Sequence, residues 1–203
     1  MDLDPLESAN EAAEEADRSR DKARARLSTR VAVTVALLAT FLGVCKVKDD
    51  NIVQAMQQSQ ADRLDHWNFY QARNIRQEVA AAAVVQLKLA AAGAAAPQLP
   101  GYREAIAAYE KVAADQAQKK EELRVQAEHD QQTYDALNFR DDQFDLSDAL
   151  IALAISLLAL TALTHKTWLY WLALFPTVGG VLMGLAGLFG WHLHPQMFVR
   201  MLS

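Results

Sequence analysis

Cysteine is almost missing from this chain: Cys45 stands alone, so an intrachain disulfide and a cysteine-cluster metal site are both excluded. Proline and glycine are few, five and eight in 203 residues, and the stretch from about Asn51 to Ala92 contains neither. Charge is nearly absent from the C-terminal third, where residues 143–203 carry only Asp145, Asp148, Lys166 and Arg200. No Gly-rich phosphate loop, nucleophile elbow, paired-cysteine ligand set or His-Glu-x-x-His helix occurs, and no enzyme activity or cofactor is expected. The net charge of −5 is spread over segments of mixed sign, without a basic surface suited to a phosphate backbone, so nucleic acid is not an expected partner.

What remains is long apolar runs separated by long polar ones. The first apolar run, Val31 to Cys45, is flanked by Arg30 and Lys46, whose side chains can snorkel and extend the span to about 20 residues. Its polar leader is too long for a signal-peptide n-region and no small-x-small cleavage site follows, so an uncleaved anchor is expected. Leu42-Gly43-Val44-Cys45 only faintly resembles a lipoprotein box, because Val44 is bulky where a small residue is required. The second run, Leu146 to Thr164, and the third, Trp168 to Trp191, are separated by His165, Lys166 and Thr167, which demands a tight antiparallel hairpin. Trp168, Tyr170 and Trp171 at one end of the third run and Trp191 at the other mark two membrane interfaces. The positive-inside tendency acts on Arg18, Arg20, Lys22, Arg24, Arg26 and Arg30 before the first span and on Lys166 in the short turn. It places both on the cytoplasmic side, and the long polar insertion outside.

The polar segments read as helices. Ser8 lies three residues before Glu11, a capping-box spacing, and acids precede bases along the leader as a helix dipole prefers. Beyond Tyr102, steps of four and three run through Ile106, Tyr109, Ala113, Gln116, Lys120, Leu123, Ala127, Asp130, Tyr134 and Leu137, an interrupted coiled-coil seam. The preceding arm, rich in Ala, Gln and Leu, offers a looser series: Met56, Gln60, Leu64, Trp67, Gln71, Ile75, Ala82 and Leu89. Gly93, Pro97, Pro100 and Gly101 break the helix between the arms.

These readings divide the chain into a cytoplasmic N-terminal helix (1–29), a first transmembrane helix (30–47), an extramembrane helical hairpin (48–142, tip about 93–101), and a second transmembrane helix (143–164). A turn (165–167), a third transmembrane helix (168–191) and a C-terminal tail (192–203) complete it. Pro176 and Gly179 imply a kink, and Gly180 with Gly184 and Gly187 forms a small-residue face for close helix packing, within the chain or against another subunit. Asp148 is a candidate interfacial acid, or a residue facing a partner helix or wet cavity. His66 and His129 are expected to face solvent. His192 and His194 lack a nearby third ligand, and no metal site is expected.

The run Asp65-His66-Trp67-Asn68-Phe69-Tyr70-Gln71-Ala72-Arg73 resembles the Asp-x-Trp-x-x-Tyr-Gln-Ala-(Lys/Arg) signature of an uncharacterised bacterial membrane family, domain of unknown function 4337. The stretch from Arg30 to Ala39, and Asp145-Leu-Ser-Asp-Ala-Leu followed by Trp168 and Tyr170, are also similar to it. The resemblance implies three spans and a helical hairpin domain, and no activity. Asp65, Trp67, Tyr70, Gln71 and Arg73 fall within a few helical turns and form a packing patch or a partner-binding patch. The expectation is therefore an all-α integral membrane protein with three transmembrane helices and a long antiparallel, coiled-coil-like hairpin between the first and second. It is expected in the bacterial inner membrane with the hairpin periplasmic, as a non-enzymatic homo-oligomeric scaffold whose partners are its own copies and membrane lipids. The alternative is a channel or transporter subunit.

Overall fold

The computed structural model describes the backbone of residues 5–191 and the side chains of residues 13–191. The side chains of Ser8 and Glu11, the C-terminal tail, and His192 and His194 lie outside the described residues. Helix α1 spans Pro5–Ala92, a 3-10 turn covers Ala96–Gln98, α2 spans Leu99–Thr164 and α3 spans Thr167–Phe189. No strand occurs among the described residues. Among the described residues, three helices are long and apolar enough to cross a membrane, consistent with a membrane protein.

Two punctuation signals act differently from expectation. Pro100 and Gly101 do not interrupt the second arm; they sit in the first turn of α2, where the amide that proline lacks has no intrahelical acceptor to lose. Ser8 lies inside α1, whose helical backbone already begins at Pro5, so it is not the residue that starts the helix. The short turn behaves as the apolar runs require. His165 closes α2 at φ 52°, a left-handed conformation unusual for a residue with a Cβ. Gly190 caps α3 at φ 68°, where glycine bears no such cost.

Contacts divide the chain into two units, Met1–Ile52 with Phe139–Ser203, and Val53–Asn138. In the first, α1, α2 and α3 share a core of Val31, Leu38, Ile151, Ala154, Leu158 and Ala173. In the second, the pairings run antiparallel: Ser59 with Asp130, Arg73 with Gln116, and Lys88 with Glu110.

Candidate functional site

In the unit Val53–Asn138, the α2 stripe that the alternating spacing picks out is the less exposed one, from Tyr102 through Ile106, Ala113, Gln116, Lys120, Leu123, Ala127 and Asp130 to Tyr134. Tyr109 alone in it is exposed. The α1 stripe is a correction. Met56 faces inward as expected, but the seam continues through Ser59, His66, Tyr70, Arg73, Ala80 and Val84. That is a helical face rotated away from the Leu64, Trp67, Gln71, Ile75, Ala82 and Leu89 series, whose members are exposed.

Hydrogen bonding supplies the reason. The α2 seam carries Gln116, Lys120 and Asp130, which cannot be covered by Leu64, Trp67 and Ile75 without losing their water partners. Rotating α1 brings polar partners to them. Arg73 Nη1 donates to Gln116 Oε1 at 3.0 Å, and Lys120 Nζ donates to Asn74 Oδ1 at 3.0 Å. Asp130 meets His66 Nδ1 through Oδ2 at 2.7 Å and accepts from Ser59 Oγ through its backbone oxygen at 3.1 Å. His66 is thus a half-buried seam residue and not a solvent-facing one, whereas His129 is exposed.

The motif patch is split by this arrangement. Tyr70 and Arg73 turn into the seam, with Lys120 Nζ 5.8 Å from the Tyr70 ring centroid, a cation-π arrangement. Asp65, Trp67 and Gln71 face outward. Trp67 bridges the two environments by an edge-to-face contact with Tyr70 at 5.2 Å.

In the unit Met1–Ile52 with Phe139–Ser203, Pro176, Gly180, Gly184 and Gly187 are all buried, against helices of the same chain. A Cβ on Gly180 would stand 2.7 Å from Ile151 Cγ1 and 3.2 Å from its backbone nitrogen; one on Gly184 would meet the Phe41 ring at 2.7 Å, and one on Gly187 the Phe144 ring at 2.8 Å. The close approach lets polar groups of α2 reach the backbone of α3. Ser147 Oγ donates to the Gly180 oxygen at 2.8 Å, and Arg140 Nη2 to the Gly187 oxygen at 2.8 Å, beside the negative end of the α3 dipole. Gln143 Nε2 donates to the Trp191 oxygen at 2.8 Å. Sequence reasoning missed Arg140, Gln143 and Ser147 because none forms a motif. Their spacing of three and four along one helix face, opposite a glycine face, was the available signal.

Cys45 is a buried free thiol. Asp148 is half-buried within electrostatic range of Lys46 on α1. The neighbouring acids Asp49 and Asp141 approach each other across α1 and α2, a juxtaposition that periodicity does not disclose. An apolar groove of about 710 Å³ lies along Leu146, Leu150, Trp171, Phe175, Val178 and Leu182, and none of these carries a polar catalytic group.

Residues 27–190 match the family model described as domain of unknown function (DUF4337). No match was found among curated proteins or among solved structures. The matched stretch takes in the Asp65–Arg73 motif, both long polar arms and all three apolar helical segments, and the chain belongs to this family.

Proposed function

We propose that the chain is a non-enzymatic scaffold of the bacterial inner membrane that assembles with copies of itself through an apolar row left exposed on α1. The single observation that carries the reading is that row: Leu64, Ile75, Val85 and Leu89 are 54%, 64%, 57% and 72% exposed, and Trp67 is 37% exposed. They recur at helical spacing along one face over about 37 Å at 1.5 Å per residue. Isolated exposed apolar residues need no explanation, but large apolar residues gathered on one helical face do, here with Gln71, Glu78 and Ala82 interspersed among them. The glycine face does not serve this purpose, because α1 and α2 of the same chain fill it.

In this reading the three apolar segments cross the membrane, the N-terminal helix is cytoplasmic and the polar hairpin stands in the periplasm. Copies in one membrane share one orientation, so a symmetry axis lies along the membrane normal and the α1 arms of neighbouring copies run parallel. Gln71 within the row would then set the register, as a polar residue does at a coiled-coil seam. A channel within one copy is less well supported, because Leu38, Ile151 and Leu158 fill the centre of the three-helix core.

Light scattering of the full chain in mild detergent tests the proposal. The wild type should give a multiple of 22.5 kDa after detergent subtraction, and Ile75→Asp with Leu89→Asp should give the monomer with unchanged helix content. A monomeric wild type would overturn it.

A further inference from the structure

Where the first apolar segment of α1 gives way to polar sequence, Asp49 is only 3% exposed. Its Oδ2 accepts from Lys46 Nζ at 2.7 Å. Its Oδ1 is buried and meets no hydrogen-bond donor. The group of α2 that interacts with it is another acid, Asp141. Two ionised carboxylates are acceptors only, so the pair lacks one donor, and an unsatisfied buried oxygen is costly.

A proton on one carboxyl supplies that donor from within the pair. Among the described residues no group of three or more His, Cys, Asp or Glu is placed to hold a metal ion. The remaining facing groups agree. Around the pair, α1 contributes Lys46 and Asp50, which lie 3.8 Å apart, together with the Cys45 thiol. From α2 come Arg140, whose guanidinium is committed to the Gly187 oxygen, and Asp142, Asp145 and Asp148. The α3 segment Thr167–Phe189 brings no charged side chain. Lys46 serves both Asp49 and Asp50, and Lys48 beside them is exposed.

We propose that the Asp141 carboxyl is a proton-binding site whose proton is donated to the buried Asp49 carboxylate, which ties α1 to α2 under acidic conditions and loosens as that proton leaves to solvent. Burial, followed by the hydrogen bond to Asp49 and the charge of Asp145, raises Asp141 from its ordinary 3.8 to about 6. A carboxyl whose folded pKa lies above its unfolded one binds the proton more tightly when folded. Its stabilisation is complete below the unfolded value and is lost as pH rises through the folded value, here between about 4 and 6.

The test follows melting of the full chain in detergent by circular dichroism from pH 4.5 to 8, with Asp141→Asn and, as a second variant, Asp49→Asn. Asparagine keeps the shape of the protonated acid and donates without a titratable proton. The wild-type Tm should fall on the order of 5 °C between pH 5 and 7.5, and most of that slope should vanish in either variant. The infrared carboxylic C=O band lost by the wild type over the same range should be smaller in both. A flat wild-type Tm, or a slope retained in both variants, would overturn the proposal. Magnesium or calcium chloride raising the wild-type Tm at pH 7.5, with no such effect on Asp141→Asn, would assign the site to a metal cation and overturn it equally.

Discussion

The glycines of α3 illustrate how one residue type is held to different tolerances by its neighbours. Replacing a helical glycine by alanine gains roughly 0.5–1 kcal/mol of helix propensity, while overpacking a tight contact costs about 1–3 kcal/mol. At Gly180 the obstructing atoms include the Ile151 backbone nitrogen and the Ser147 backbone oxygen, each 3.2 Å from the new Cβ. Neither can turn aside without moving α2. At Gly184 the obstruction is the Phe41 ring, a side-chain end that can turn, and the Ser147 hydroxyl, which moves only by giving up its bond to the Gly180 oxygen. Gly180→Ala should therefore lower stability by about 2–3 kcal/mol, whereas Gly184→Ala should lower it by about 1 kcal/mol, the bond that Ser147 gives up. Thermal denaturation of the two variants in the same detergent compares them, and an equal or reversed order would show that α2 yields more easily than the phenyl ring.

At the scale of the element, the rotation of α1 about its own axis decides what the seam contains. Val84 is 8% exposed and its neighbour Val85 is 57% exposed, so one residue separates the inward face from the outward one. An Asp at position 84 buries an unpaired charge and should cost about 2–4 kcal/mol. At position 85 it should cost under about 0.5 kcal/mol in protein already dissociated by Ile75→Asp with Leu89→Asp. Denaturant melts in that background measure both. Equal effects at the two sites would return the seam to the Leu64–Leu89 series. That series was legible in the sequence as an apolar stripe, but hydrophobicity alone assigned it to the wrong partner. Matching Gln116, Lys120 and Asp130 of α2 to donors and acceptors on α1 identifies His66 and Arg73 instead.

For the whole molecule the compartment of the long polar hairpin decides which partners it can meet. Six Arg and Lys residues before Val31 resist translocation, whereas Lys46 and Lys48 are fewer and are followed by Asp49 and Asp50. In a Cys45→Ser background, a cysteine at Gln98 should react with a membrane-impermeant thiol reagent on intact cells whose outer membrane admits it, and one at His165 should not. Labelling at His165 without labelling at Gln98 would place the hairpin in the cytoplasm. Both positions are exposed, so burial does not confuse the comparison, and Cys45 itself is buried.

The sequence by itself determined the helical class, the three apolar segments, the tight α2–α3 turn at residues 165–166, and the seam stripe of α2, because each follows from local composition or period along one chain direction. The glycine face was legible as a surface for close packing, but not its occupant. Only the tertiary structure decided that Ile151, Ser147, Phe144 and Phe41 of the same chain fill it. Only there does α1 turn its polar stripe inward, and do Asp49 and Asp141, far apart in sequence, become neighbours. Periodicity along a helix states which residues share a face. Which face is buried depends on whether the partner helix can satisfy the polar groups that go in with it.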